Sequence, residues 1–204
     1  MNLTKLKQLE KDFLHVYPEG FNSERMEEIK KKHKLEKTSA FFKHVCSSDS
    51  LESGLDSLDD VIKAVTRSSM VSVFEKVKLK DLVKGFSSDE KFEFLDSIHE
   101  NLHGNEEEGF TRLVSLLAKY KLAKWPIITV FRAYISMNYD VLVKPTTVKK
   151  VIKHLELDLT YSPTPTFKFY NSYRNYINLM KKEVKQSLTV NNPAFSGFLM
   201  MTIN

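Results

Sequence analysis

A lone cysteine, Cys46, leaves no intrachain disulfide and no cysteine-based zinc cluster to build. Glycine and proline number six each in 204 residues. That is too few for the many tight turns of an all-β domain, so the composition leans helical. No apolar run approaches the roughly 20 residues of a membrane span. The longest uncharged apolar stretch is Trp125 to Phe131. The opening MNLTKLKQLEKDF is charged throughout and has no signal-peptide core, which sets the expectation of a cytoplasmic protein without membrane partners. No two glycines are separated by one residue, so the G-x-G-x-x-G loop is absent, as are G-x-x-x-x-G-K-[ST] and G-x-S-x-G. The ordinary dinucleotide, P-loop and serine-hydrolase readings fall away, and no cofactor is implied.

What is present fits a globular chain: 42% hydrophobic and 28% charged residues. The net charge of +5 is unevenly spread. Residues 1–118 hold 18 basic and 22 acidic side chains, whereas residues 119–204 hold 13 basic and 4 acidic. A basic C-terminal half attracts phosphate-bearing partners, and the same lysines also serve as solvated helix faces.

Apolar residues recur at helical spacing along the chain. Leu3, Leu6, Leu9 and Phe13 make one stripe, and Val61, Ile62 and Val65 another. SSDSLESG (47–54) reads as a loop, and 70–83 fits either a helix or a strand. Ser87 and Glu90 match a capping box, with Phe92, Leu95, Ile98 and Leu102 expected inward. WPIITVFRAYIS (125–136) reads as a central core helix, and Pro145 and Thr166 start two more. The expected fold is all-α: one orthogonally packed domain of nine or ten helices over residues 1–204, with an acidic half 1–118 and a basic half 119–204.

Two helix starts suggest anion binding, because exposed backbone N–H groups and the helix dipole favour negative charge there. Arg67, Ser68 and Ser69 precede one expected start, so a guanidinium and two hydroxyls would form a cradle. Lys144, Thr146 and Thr147 lie at a second, while Lys121 and Lys124 precede the Trp125 helix. If these groups converge, they form a cationic pocket beside the Trp125 ring. Ordinary capping by the same hydroxyls is the alternative use. The helix from residue 166 interleaves Tyr170, Tyr173 and Tyr176 with Lys168, Arg174, Lys181, Lys182 and Lys185. That composition suits nucleic-acid stacking and phosphate contact, although Tyr170 and Tyr173 also sit on the apolar stripe.

His99-Glu100-Asn101-Leu102-His103 matches H-E-x-x-H. In that motif two histidines one turn apart bind zinc and the glutamate acts as general base. Gly104 follows directly, and no further histidine extends the pattern. The expected function is therefore a binding module for a phosphate-bearing ligand or nucleic acid. A zinc hydrolase using His99, His103 and Glu100 is one alternative, and a protein-interaction module without a small-molecule site is another.

Four stretches carry a resemblance: TRSSMVSVFEK (66–76), YKLAKWPIITVFRAY (120–134), VLVKPTTVKKVI (141–152) and NNPAFSGFLMM (191–201). In these the chain resembles a family of bacterial all-helical proteins of unknown function. The likeness implies a bacterial cytoplasmic protein and no catalytic assignment. Residues 120–160 also resemble, at the level of element order, the helix-hairpin-helix region of DNA glycosylases. The chain departs from that pattern: no glycine-rich hairpin precedes Trp125, and Lys144 stands where an acidic residue is wanted.

Overall fold

The structure, a computed structural model, describes residues 1–203, apart from the side chains of residues 30–32. Among these residues there are twelve α-helices and no strand. In chain order they are α1 (Leu3–Val16), α2 (Glu24–His33), α3 (Leu35–Val45), α4 (Ser48–Glu52), α5 (Leu58–Arg67) and α6 (Val73–Lys84). There follow α7 (Ser88–His103), α8 (Glu106–Ala118), α9 (Trp125–Ile135), α10 (Pro145–His154), α11 (Phe167–Lys182) and α12 (Asn192–Thr202). Short 3₁₀ turns occupy Gly20–Asn22, Gly54–Ser57 and Gln186–Leu188.

The two helices beyond the expected ten are α4 and α6. The first forms inside the serine-rich stretch read as a loop, where Ser47 accepts from the Ser50 N–H. The second resolves the ambiguous 70–83 segment, because Ser72 and Glu75 close a full capping box around its first turn. Its buried face is only Leu79 and Val83, while Val73, Phe74 and Val77 face outward. Apolar residues on both sides blur the helical period, which explains the strand-like appearance.

Helix α9 is buried nearly all round, as expected for a helix without a polar face. Phe42 of α3 stacks on Tyr134 at 4.6 Å. Phe94 of α7 and Phe110 of α8 reach Phe131 and Trp125 from the other side. Helices α7 and α8 form a tight hairpin across Gly104-Asn105. Gly109 makes the close approach possible, since a Cβ there would lie 2.1 Å from the Asn101 nitrogen. Phe92 corrects the expected inner face of α7: it is exposed, and Phe94 is buried instead. At the other end α12 packs on α1, α10 and α11. Phe13 meets Phe198 edge-on at 5.4 Å. One hydrophobic cluster thus runs from Leu6 to Ile203. None of the described helices is long and apolar enough to cross a membrane.

Candidate functional site

A cleft of about 590 Å³ lies between the α2–α3 corner, the connector before α6, the start of α10 and the outer face of α12. Its floor is apolar and buried: Phe21, Met26, Val148 and Tyr173. Its mouth keeps large apolar side chains in solvent, namely Ile29, Val190, Met200 and Met201. Isolated exposed apolar residues are ordinary, but a set of four around one concavity makes it the candidate site.

The polar wall comes from three separate places in the chain. Lys34 is the single residue between α2 and α3, and its φ of 45° puts it in the left-handed region. A non-glycine residue there is strained, and such strain gathers at ligand sites. Lys37 follows on the first turn of α3. Ser69 joins the connector to the end of α2, its Oγ lying 3.1 Å from His33 Nδ1. The third contribution is Lys144 and Thr147 at the start of α10. Thr129 fixes that start: its hydroxyl donates to the Trp125 carbonyl and accepts the Val143 N–H at 3.1 Å. Burial lowers the Lys144 pKa from its ordinary value, and nearby Glu75 acts in the opposite direction. Glu27 and Glu36 also line the cleft, so the wall is cationic but not exclusively so.

The cleft brings together part of each expected anion cradle: Ser69 from the first, Lys144 and Thr147 from the second. Arg67, Ser68, Lys121, Lys124, Trp125 and Thr146 do not line it. The first cradle is not assembled as expected, because the next helix starts at Val73 and not directly after Ser69. Arg67 instead ends α5, where the helix dipole disfavours an anion, and its guanidinium lies 4.6 Å from the Phe41 ring centre. Ser68 is fully buried, donating to the Tyr134 hydroxyl and accepting the Met70 N–H. Trp125 is also core, its indole N–H donating to the Ser162 carbonyl at 2.8 Å. Lys121 and Lys124 are exposed away from the cleft.

His99 and His103 do lie one turn apart, with ring centres 5.4 Å from each other. Their Nε2 atoms are already engaged by protein groups. His99 meets Ser48 Oγ at 2.8 Å and Glu52 at 3.3 Å, and His103 meets the Cys46 carbonyl at 2.8 Å. Glu100 accepts the Asn105 N–H, bridging the α7–α8 corner. Among the described residues no group of three or more His, Cys, Asp or Glu is placed to hold a metal.

A second cluster escaped the sequence reading. Asp140 is fully buried and accepts from Tyr170 at 2.8 Å and from Arg174 at 2.7 Å, with Arg132 Nε at 3.1 Å. Glu106, half-buried at the start of α8, pairs with both arginines. Burial works against the Arg174 cation, and the bonds to Glu106 and Asp140 overcome it, holding the guanidinium charged. Burial, reinforced by the Asp140 charge, pushes the Tyr170 hydroxyl well above its ordinary pKa. Arg174 is thereby removed from the surface, as are Tyr170 and Tyr173, so the expected aromatic-basic face of α11 loses its centre. Asp140 carried the readable signal: one of only four acids in the basic half, set before the apolar VLV. A buried acid there requires a cationic partner.

No family model matches the chain, and neither the curated proteins nor the solved structures yield a match. The functional reading therefore rests on the geometry of the cleft.

Proposed function

We propose that the protein binds a small amphipathic ligand whose apolar body fills the cleft and whose phosphate head meets the lysine wall. The supporting observation is the meeting of an apolar floor with Lys34, Lys37 and Lys144 in one concavity of about 590 Å³. That volume falls in the range of small-molecule sites, roughly 300–1,000 Å³. It is a compact depression, whereas nucleic acid is bound along an extended basic track, and Glu27 and Glu36 interrupt the positive wall. Lys144 is the principal head-group contact. Its side chain stays exposed to an incoming ligand while its surroundings partly desolvate the ammonium, so a phosphate there gains a charge-assisted bond. Thr147 and Ser69 supply hydroxyls to the same cleft.

Calorimetry with octyl phosphate and with octanol tests this reading. Octyl phosphate is expected to bind and octanol to bind about tenfold more weakly, a difference of ~1.4 kcal/mol. The Lys144→Met variant should close that gap by lowering only the phosphate affinity. Equal binding of the two ligands, or binding of neither, overturns the proposal.

A further inference from the structure

Helix α6 carries an apolar ridge that the fold leaves uncovered. Phe74 is 81% exposed, Val73 70% and Val77 52%. Lys78, Lys80 and Lys84 are exposed along the same helix, and Lys76 is half-exposed. Of the two acids, Glu75 is turned back onto the Ser72 cap, which leaves Asp81 as the only outward one. The helix packs chiefly against α5 through Leu79 and Val83, so the opposite side is free.

We infer that this ridge docks the protein on an anionic lipid surface, with Phe74 and Val77 entering the headgroup layer and the lysines meeting lipid phosphates. Apolar tips flanked by lysines are the composition of an interfacial helix, and anionic headgroups attract each such lysine. A second copy of the chain fits poorly. Two ridges face to face would oppose their own lysines, and three side chains supply little of the ~800 Å² per partner in a stable dimer. Position adds a further argument. Ser69 and Met70 of the cleft lead directly into α6, and Glu75 on its first turn is close enough to act on the Lys144 charge. The first turn of α6 thus lies near the cleft, so docking through this helix brings the cleft close to a bilayer from which an amphipathic ligand would be drawn. This last step rests on the proposed ligand class. A peripheral contact needs no membrane-crossing helix, so it departs only from the expectation of no membrane partner.

Co-sedimentation with phosphatidylcholine vesicles, with and without phosphatidylglycerol, tests the docking. Binding is expected only with phosphatidylglycerol, decreasing with salt. The exposed pair change Phe74→Ser/Val77→Ser should lower it at least about tenfold. Lys78→Glu/Lys80→Glu should lower it on the order of fivefold per lysine removed. Both variants should keep the wild-type melting temperature and octyl phosphate affinity. No vesicle binding by the wild type, binding indifferent to the Phe74→Ser/Val77→Ser change, or a dimer that this change dissolves would each overturn the inference. A wild-type protein that binds octyl phosphate but no vesicle removes the docking alone. Vesicle binding without octyl phosphate binding removes the ligand reading alone.

Discussion

At the junction of α9 and α11, Arg132 and Arg174 share two carboxylates, Asp140 and Glu106, inside the protein. At the cleft, Lys34, Lys37 and Lys144 stand around an apolar floor, and among the described residues none has a carboxylate within salt-bridge distance. The difference separates two uses of positive charge. Internally matched arginines tie α7, α8, α9 and α11 together, and a guest would have to displace a carboxylate to reach them. Lysines left beside apolar surface offer a binding contact. Residue choice agrees, since the planar guanidinium suits fixed buried pairing, whereas the flexible lysine suits an adaptable rim.

Breaking the internal set should produce the largest effect. Asp140→Ala leaves Arg174, with only 4% of its side chain exposed, and Arg132 short of negative charge. Orphaning buried cations costs about 3–5 kcal/mol, to be read from urea melts at pH 7. Octyl phosphate affinity per folded molecule should not change. A loss below about 1 kcal/mol would erase the distinction between the two regions. Lys144→Met makes the converse test: affinity falls while the melting temperature holds or rises, because a partly desolvated ammonium is removed. The pH dependence has a definite sign. Since burial sets the folded Lys144 pKa below its ordinary 10.5, the folded state releases this proton first. Between the lowered value and 10.5 the stability contribution of Lys144 therefore rises with pH, while phosphate affinity falls as its charge is lost.

A smaller effect is expected at α6, which carries the ridge. Ser72→Ala removes the capping side chain and should cost about 1 kcal/mol in the same melts, leaving octyl phosphate affinity within about twofold. Helix α6 also shows what sequence carries and what it hides. Ser72 and Glu75 stood at capping-box spacing, a local signal strong enough to decide the ambiguous segment. The box at Ser87 and Glu90, the Pro145 start and the Thr166 cap were legible for the same local reason. The cleft was legible only in fragments. Ser69, Lys144 and Thr147 stood out one helix start at a time, but their meeting depends on how the connector before α6 and α10 approach α2 and α12. Nothing local distinguishes Lys144, which reaches an apolar wall, from Lys124, which lies away from it. Arg174 hid its role likewise, because its partners lie 34 and 68 residues away.

An exposed matched pair provides the remaining contrast with the two cation sets. Glu156, just beyond α10, accepts from Lys5 at 2.7 Å and from Asn2 at 3.0 Å, tying the first turn of α1 to the end of α10. The bond from Lys5, then that from Asn2, lowers the Glu156 pKa from its ordinary 4.5. A lowered carboxyl pKa contributes stability above the unfolded value, and that contribution is lost as pH falls through the folded value. The Glu156→Gln variant should therefore differ from wild type most near neutral pH and converge with it in acid. Solvent surrounds this pair, so the difference should be the smallest of the series and should vanish in 1 M salt, where the screening length is about 3 Å. The Asp140 set, sealed from solvent, should keep its effect under the same salt. If the Glu156 gap survives both acid and salt, its value lies in the neutral geometry of the Asn2 contact. Burial would then no longer account for the difference between the two matched sets.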